Sequence, residues 1–259
     1  MTFSSSAAVS PHLVVLERTG STNADLLAAR DEPHLATWVT LDQSAGRGRL
    51  DRRWVTTPGR SLAASVLLHR RELPLEALGW VPLLAGLAMR ASVRGVVAHG
   101  DVTLKWPNDV QVDGGKVCGL LAELRPDASA VVVGAGVNLT VPADQLPVPT
   151  ATSLGLHGAR GSALELADAV LSSWVSGLDH LVGRLAAAGG DAEASGVRGL
   201  VRDGCATVGR PVRVERPGGA VLVGEAVDVD ETGRLVVRSA STGELTAVAS
   251  GDVTHLRYE

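Results

Sequence analysis

Residues 102–124 read VTLKWPNDVQVDGGKVCGLLAEL, and the prediction of the fold starts from this stretch. It holds three runs with strand character, at 102–105, 109–112 and 116–124. Pro107 favours an extended conformation for the residue before it. Asp113 and Gly114 form a dipeptide that is typical of a tight hairpin turn. The stretch therefore predicts three consecutive strands that turn back on one another.

The regions on either side add further strands. Apolar or alternating runs predict strands at 12–17, 36–42, 61–69 and 130–139. After Gly204 the pattern changes to short Val-rich runs separated by turns, which predict strands at 211–216, 220–229, 233–239, 244–249 and 253–258. We therefore predict an α/β (α+β) chain with a mixed sheet in residues 1–204 and a small barrel-like β domain in residues 205–259.

Three helices are predicted in the larger part. One begins near Ser21, where Thr22 and Asp25 have the spacing of a capping box. A second begins near Trp80, because the following Pro82 suits a first helical turn. Apolar residues between 164 and 185 recur at alternating spacings of three and four, which predicts a long amphipathic helix.

Composition excludes several classes of protein. The formal net charge of -4 argues against a general electrostatic attraction to nucleic acid or anionic membranes. Two cysteines are too few for a disulfide framework or a cysteine-based zinc site. The sequence shows no secretory leader and no apolar run of about 18 residues. We expect a cytoplasmic protein that is not bound to a membrane.

The segment Gly46-Arg47-Gly48-Arg49 alternates charge with glycine. Glycine lets backbone amides approach a ligand closely, and arginine offers paired donors to carboxylate or phosphate. The segment lies in residues 43–53, which show no apolar periodicity and are predicted to be a loop. A loop that binds an anion, a solvated loop with surface ion pairs and an RNA-contacting arm are all open at this point.

Lys105 and Lys116 are the only lysines among 24 basic residues of the Lys and Arg type. A lysine carries a compact point charge, whereas an arginine carries a planar fork of donors. Strand alternation predicts that Lys105 and Trp106 point to opposite sides. Lys116 is either a site residue or an exposed hairpin lysine. The glycine and lysine patterns here lack the remaining residues of a P-loop or a dinucleotide fingerprint.

Four segments, in this order, resemble biotin protein ligases. They are Ser21-Thr22-Asn23; Gln43 with Gly46-Arg47-Gly48-Arg49, Arg52 and Trp54; Lys105-Trp106-Pro107-Asn108-Asp109 with Gly115, Lys116 and Gly119; and Gly134, Gly136, Asn138 and Leu139. The resemblance covers nearly the whole chain and implies an SH3-like β-barrel for residues 205–259. It also implies a two-step reaction, in which ATP and biotin form biotinyl-5′-AMP and a lysine of a biotin carboxyl carrier domain then accepts biotin. ATP and Mg²⁺ are the implied cofactors.

The resemblance assigns roles by position. Lys105 would stabilise the charge between carboxylate and α-phosphate, with Arg47 and Arg49 as further catalytic residues of a covering loop. The residues expected to bind biotin are Ser21, Thr22, Asn23, Gln43, Arg47, Gly48, Arg49, Lys105 and Gly119. Those expected to bind ATP or the adenylate are Gly46, Arg47, Arg49, Arg52, Trp54, Asn108, Lys116 and Asn138. Asp109 would support Mg²⁺ or the local turn.

The sequence departs from some members of the family in two ways. Leu50 and Asp51 replace an Arg-Gly pair after the arginine–glycine segment. About 11 residues precede the first predicted strand, too few for the helix-turn-helix domain of the repressor members. We therefore expect an enzyme without DNA binding, either a monomer or a weak, ligand-dependent homodimer.

Two other functions remain as alternatives. A lipoate or octanoate ligase or transferase would share the fold, but the Ser21-Thr22-Asn23 group and Gln43 favour the ureido ring of biotin over a plain acyl chain. A binding module without turnover is the other alternative. The presence of Lys105 and the arginine loop argues against it.

Overall fold

The strands predicted from residues 102–124 form one side of a seven-stranded sheet in the computed structural model. The structure describes residues 2–49, 52–70, 73–216, 218–249 and 251–256. The strands of the larger part are β1 Leu13–Leu16, β2 Thr37–Thr40, β3 Gly46–Arg47, β4 Arg53–Trp54, β5 Ser61–His69, β6 Val102–Lys105, β7 Asp109–Val112, β8 Gly115–Leu124 and β9 Ala130–Asn138. The helices are α1 Ser4–Val9, α2 Thr22–Ala28, α3 Val81–Arg94, α4 Ala163–Ala187 and α5 Val197–Gly204. A 3-10 turn, Leu75–Trp80, leads into α3.

The large sheet is mixed, as predicted. Its strand order is β1-β2-β5-β9-β8-β7-β6. Strands β1 and β2 are parallel, and the remaining neighbours are antiparallel. The sequential order β6-β7-β8-β9 at one side is the meander that the turn signals predict.

The two faces of the sheet have different neighbours, and the difference follows the alternation of β9. Val131, Val133 and Val137 join the main hydrophobic core, which also contains α3 and α4. Ala130 and Val132 point to the opposite face, where they pack with Leu26 of α2 in a smaller cluster. Further along β9, this second face carries two glycines in place of apolar side chains. The second face is therefore open beside α2.

The three predicted helices have close to the predicted bounds, but the N-cap of α2 is not the predicted residue. Helix α2 begins at Thr22, and the N-cap is Ser21, whose hydroxyl accepts a hydrogen bond from Ala24 N at 3.4 Å. The predicted capping pair of Thr22 and Asp25 is wrong by one position, because Thr22 already belongs to the helix. Helix α4 is slightly longer than predicted, and Trp174 is fully buried in the core.

The C-terminal part is a separate five-stranded antiparallel sheet. Its strands are β10 Arg210–Glu215, β11 Val221–Val229, β12 Leu235–Ser239, β13 Leu245–Val248 and β14 Asp252–His255, in the order β13-β12-β11-β10-β14. The predicted last strand extends to 258, of which residues 257–258 lie outside the described residues. Helix α5 ends at Gly204, and a boundary between 204 and 205 stays a prediction.

The turn between β11 and β12 packs against two indoles of the larger part. Trp80 Nε1 donates a hydrogen bond to Glu231 O at 2.9 Å, and Trp106 Nε1 donates to Gly233 O at 3.3 Å. The backbone amide of Trp106 also donates to Thr207 Oγ1 at 3.0 Å. The small sheet therefore contacts the chain immediately after Lys105.

Two sequence predictions need correction. Residues 43–53 are not entirely loop, because β3 and β4 pair antiparallel as a short hairpin with Arg47 opposite Arg53. Each strand of this hairpin is only two residues long, so the sequence shows no apolar alternation. Helices α1 and α5 were not predicted, since each is too short for a periodic pattern.

Candidate active site

An open cavity of about 930 Å³, including its mouth, lies on the face of the sheet beside α2. The cavity is bounded by the start of α2, the β3–β4 hairpin, the β6–β7 turn, β8, β9 and the start of β14. Its lining includes Ser21, Thr22, Asn23, Gln43, Arg47, Gly48, Arg49, Arg52, Trp54, Lys105, Asn108, Asp109, Lys116 and Gly119. Five segments that are distant in sequence thus meet at one site, since residues 134–136 and 251–253 also line it.

One end of the cavity, called the neutral end below, is built from the uncharged side chains of Thr22, Asn23, Gln43 and Ser65, with the Arg47–Glu123 ion pair beside Asn23. Gln43 Oε1 accepts a hydrogen bond from Thr22 N at 2.9 Å. Beneath them, Ser65 Oγ lies 2.8 Å from Thr22 Oγ1 and 2.6 Å from Asn23 Oδ1. Ser65 is fully buried on β5, and it fixes both side chains. Neutral donors and acceptors held in this way suit a neutral polar head group.

Asn23 is held more tightly than the sequence indicates. Its Nδ2 donates to Glu123 Oε2 at 2.7 Å and lies 3.3 Å from Leu121 O. With Oδ1 on Ser65, the protein already engages both ends of the carboxamide. Asn23 therefore shapes the neutral end and offers a ligand little more than the second lone pair of Oδ1.

The two glycines of β9 make room for side chains above them. A Cβ at Gly134 would lie 2.1 Å from Asn23 Oδ1, and a Cβ at Gly136 would lie 2.2 Å from Trp54 Nε1. Real Cβ atoms do not approach other atoms so closely, so these positions require glycine. The indole of Trp54 forms part of the cavity wall, and its buried Nε1 has no hydrogen-bond partner among the described residues.

The other end of the cavity is cationic. Lys105, Lys116, Arg49 and Arg52 all line it. Burial lowers the pKa of Arg49, although nearby Asp109 and Asp252 oppose this effect, and Arg49 Nη1 lies 3.4 Å from Asn108 Oδ1. An arginine remains protonated at any physiological pH. Several positive charges at one end suit an anionic ligand such as a phosphate.

Lys116 is a cavity residue and not a free hairpin lysine. Its Nζ lies 2.6 Å from Asp109 Oδ1 and 5.6 Å from the ring centroid of Trp54. The second distance is within the range of a cation–π contact. Gly119 permits this arrangement, because a Cβ there would meet Lys116 Cε and Trp54 Cζ3 at 3.1 Å each.

Lys105 and Trp106 differ in burial at the end of β6, and the prediction that they point to opposite sides stays a prediction. Trp106 is buried at 2% exposure and reaches the C-terminal sheet, whereas Lys105 is only partly buried. Both residues contribute atoms to the cavity wall. The turn that follows is fixed by Asn108, whose Nδ2 donates to Leu120 O at 2.5 Å.

Arg47 of the arginine–glycine segment and Arg52, which follows that segment, are each bound to a carboxylate. Arg47 Nη2 donates to Glu123 Oε2 at 3.1 Å. Arg52 Nη2 donates to Asp252 Oδ2 at 2.6 Å. Sequence reasoning missed both acids and Ser65, because no local pattern reveals a partner so distant along the chain. Gly46 is buried beside the lining, where a Cβ would meet Gln43 Nε2 and Trp54 O at 2.5 Å each.

Some predicted site residues lie elsewhere. Asn138 does not line the cavity: it is 2% exposed, and its Nδ2 donates to Thr152 O at 2.9 Å. Asn138 thus connects β9 to Thr152. The preceding residue, Ala151, forms a β-bridge with Lys116. Leu50 and Asp51 lie outside the described residues. Cys118 fills a core position, and burial raises the pKa of its thiol.

The described residues hold no cluster of three or more His, Cys, Asp or Glu side chains that would bind a metal unaided. Asp109 is the carboxylate nearest to Lys116. Mg²⁺ is commonly bound by one or two carboxylates together with substrate phosphates. Asn108 and Asp109 are adjacent in sequence and both line the cavity, so they are the oxygen donors available to an ion of that kind.

Comparison with known proteins agrees with this geometry. The model of the biotin/lipoate A/B protein ligase family matches residues 15–138, and the model of the biotin protein ligase C-terminal domain matches residues 207–256. The chain is 36% identical to the biotin–[acetyl-CoA-carboxylase] ligase of Mycobacterium tuberculosis over 250 residues, which is 95% of this chain and 89% of the relative. The chain belongs to the biotin/lipoate A/B protein ligase family.

Other members of the biotin/lipoate ligase family match over similar lengths. The biotin–[acetyl-CoA-carboxylase] ligase of Paracoccus denitrificans is 32% identical over 91% of this chain and 98% of its own length. The biotin protein ligase of Aquifex aeolicus in complex with biotin and ATP shares the fold, with a TM-score of 0.76 at 24% identity over 95% of this chain and 99% of that one. In the described part of this family member, we find no helix long and apolar enough to cross a membrane.

Proposed function

We propose that this chain is a biotin protein ligase, which activates biotin with ATP and transfers the biotinyl group to a lysine of a carrier domain. One observation carries the proposal. A single cavity joins a neutral polar end to a cationic end, in a chain that is 36% identical to a biotin–[acetyl-CoA-carboxylase] ligase over 95% of its length. The first end suits a ureido ring, and the second suits the phosphates of ATP.

The first half-reaction joins two anions. A carboxylate oxygen of biotin attacks the α-phosphorus of ATP, a new O–P bond forms, and the bond to the bridging oxygen breaks so that pyrophosphate leaves. Positive charges fixed around the reacting atoms lower the barrier, because they need no reorganisation as the negative charge redistributes. We assign the position beside the reacting carboxylate and α-phosphate to Lys105, which lines the cavity.

Arg49, Arg52 and Lys116 serve the phosphates in this proposal. Lys116 is held by Asp109 at 2.6 Å, and Arg52 is held by Asp252 at 2.6 Å. A cation held in place loses less conformational entropy when a phosphate arrives. Arg49 approaches from the loop and contacts Asn108, so it connects the loop to the β6–β7 turn.

Mg²⁺ would be held by Asp109, with Asn108 as a second oxygen ligand and the phosphates as the main ligands. When bound, such an ion neutralises charge on the transferring phosphate group and orients the leaving group.

The arginine–glycine segment covers the reactive intermediate. A mixed anhydride hydrolyses if water reaches it, so the site must exclude water between the two half-reactions. The segment is tied to the neutral end through Arg47 and Glu123. Arg52, which follows the segment, forms an ion pair with Asp252. These two contacts support a role as a cover over the whole length of the cavity.

The second half-reaction transfers biotin. The ε-amine of a carrier lysine attacks the carbonyl carbon of biotinyl-5′-AMP, a C–N bond forms, the bond to the phosphate oxygen breaks, and AMP leaves while the amine loses a proton. We propose the biotin carboxyl carrier domain of an acyl-CoA carboxylase as the acceptor. The names of the relatives from M. tuberculosis and P. denitrificans support this class.

A lipoate or octanoate ligase is the second candidate, since the family includes both activities. The hydrogen-bonded group of Thr22, Gln43 and Ser65 favours biotin. The test is to incubate the protein with ATP, Mg²⁺, a carrier domain and either biotin or lipoate, and to detect the acylated carrier by mass spectrometry. Biotinylated carrier supports the proposal. Label from lipoate alone would replace it, and no label with either acid would favour a binding module.

The proposal also covers the oligomeric state and DNA binding. We expect a monomer, or a weak homodimer that depends on ligand, and no specific binding of DNA. Sedimentation with and without biotinyl-5′-AMP tests the first expectation. A gel-shift assay at moderate salt tests the second, and tight sequence-specific binding would overturn it.

A further inference from the structure

Asp252 is the first residue of β14, and it lines the cavity although it belongs to the small C-terminal sheet. Its Oδ2 accepts a hydrogen bond from Arg52 Nη2 at 2.6 Å, across 200 residues of sequence. Its neighbours Gly251 and Val253 also line the cavity. The C-terminal sheet therefore contributes both a wall and a charge to the site.

The Asp252 carboxylate lies among the cations of the phosphate end. Hydrogen bonding from Arg52 lowers its pKa, burial opposes this shift, and the charges of Lys105 and Arg49 lower it further. In return, Asp252 opposes the lowering of the pKa of Arg49 by burial. Asp252 thus offsets part of the repulsion between three positive side chains that face one cavity.

We propose that Asp252 is a positioning residue for ATP: it holds Arg52 at the phosphate end, so that the C-terminal sheet completes the nucleotide half of the site. The proposal rests on the proposed function. A guanidinium has five N–H donors, and Asp252 engages Nη2. The remaining donors are available to phosphate oxygens while Asp252 keeps its contact.

The exposure of Arg52 explains why such a contact matters. Its side chain is 63% exposed, and that of Asp252 is 42% exposed, so a free Arg52 would sample many rotamers. Fixing a long side chain before the ligand binds removes that entropy cost from binding. Ion pairs at exposed positions are worth at most about 1 kcal/mol, which corresponds to an affinity change of about five-fold.

The ion pair between Arg47 and Glu123 gives a matched comparison. Glu123 accepts from Arg47 and from Asn23, and Asn23 belongs to the neutral end. Removing the charge of Glu123 therefore disturbs the biotin end, whereas removing that of Asp252 disturbs the ATP end. Each acid forms an ion pair with one arginine of the 43–54 region. If each substitution raises KM for a different substrate, the acids position separate ends of the site. A general loosening of the loop would instead raise KM for both ATP and biotin.

The experiment measures KM for ATP, KM for biotin and kcat for adenylate formation in the full chain, with thermal unfolding as a check on folding. We expect Asp252→Ala to raise KM for ATP about five-fold with KM for biotin and kcat nearly unchanged, and Asp252→Glu to restore most of the affinity. Glu123→Gln should raise KM for biotin instead. Glu225→Gln, an exposed change on β11 of the same sheet, should alter neither constant.

A double-mutant cycle with Arg52→Ala completes the test. If Asp252 acts through Arg52, Asp252→Ala adds no further rise in KM for ATP once Arg52 is absent. Additive effects, an unchanged KM for ATP, or equal rises in both KM values would overturn the inference. Wild-type protein without any biotin-dependent adenylate formation would refute the proposed function itself, so the two failures are distinguishable.

Discussion

The indole of Trp54 lies directly on the backbone of Gly136, where an added Cβ would meet Trp54 Nε1 at 2.2 Å. Trp54 sits on the hairpin of the arginine–glycine segment, and Gly136 sits near the end of the central strand β9. The contact packs the hairpin side of the cavity against strand β9. It also brings Trp54 within 5.6 Å of Lys116 Nζ.

Gly136→Ala should displace Trp54 and weaken ATP binding. Loss of the indole wall and of its cation–π contact with Lys116 is expected to raise KM for ATP about ten-fold. Steady-state kinetics with saturating biotin measures this change. The control is Gly183→Ala, within α4, where an added Cβ meets nothing. Equal KM values for wild type and Gly136→Ala would show that Trp54 is not part of the nucleotide site.

Arg47→Ala and Arg49→Ala should release the intermediate from the site. Arg47 contacts Glu123 and Arg49 contacts Asn108, so both arginines hold the segment over the cavity. In the proposed function each also binds the adenylate directly, and hydrogen bonds to charged groups are worth about 1.5–3 kcal/mol. We expect biotinyl-5′-AMP to dissociate at least about ten-fold faster, as measured by trapping the released adenylate. Arg60→Ala is the control, since Arg60 contacts Thr140 O away from the cavity. Unchanged dissociation in both variants would contradict a covering role.

Asp168→Asn should destabilise the fold without affecting the site. The carboxylate of Asp168 in α4 accepts hydrogen bonds from Ser5 N, Ser6 N and Ser6 Oγ of α1. Burial opposes ionisation of Asp168, but these donors hold its pKa below the usual value. We expect a loss of about 1–3 kcal/mol in the free energy of unfolding at pH 7.

The sign of the pH dependence follows from the lowered pKa. The contribution of Asp168 to stability is fully present above the unfolded pKa of about 3.9 and is lost as the pH falls through the lower folded value. Denaturant unfolding of wild type and variant over this range measures the difference. The exposed Asp203→Asn serves as control. A variant as stable as wild type at pH 7 would show that the α1 contact contributes nothing.

His255 should make the protein less stable in mild acid. Burial and the charges of Lys105 and Arg210 lower the pKa of His255 to about 4, and its Nε2 lies 3.0 Å from Thr207 Oγ1. The unfolded state takes up a proton near pH 6.5, so the stability gained from neutral His255 declines between about pH 6.5 and pH 4. His255→Gln should flatten this decline in thermal unfolding curves. The exposed His180→Gln should leave it unchanged, and an equal slope in all three proteins would contradict the assignment.

Much of the fold follows from local signals. The Asp113-Gly114 turn and the apolar runs around it predict the meander that the structure contains, because a hairpin depends on residues close in sequence. The long helix α4 follows from its periodicity in the same way. The short hairpin that contains Arg47 and Arg53 was missed, since its pairing leaves no side-chain pattern.

The cavity residues also divide into those that a sequence motif predicts and those that it does not. Ser21, Lys105 and Lys116 belong to sequence motifs, and the structure brings them to one cavity. Glu123 and Asp252 do not belong to any motif, because their roles arise from arginines 76 and 200 residues away. Asn138 shows the opposite error, since a motif position is used to hold the chain at Thr152 and not to line the cavity.

Biotin-dependent exchange of pyrophosphate into ATP tests the central claim most directly, because it reports adenylate formation without a carrier. We predict exchange by the wild-type protein with biotin, none without biotin, and a reduction of at least about 100-fold in Lys105→Ala, since one electrostatic stabiliser is worth about 2.7–4 kcal/mol. Exchange that is independent of biotin, or near-normal exchange by Lys105→Ala, would contradict the account.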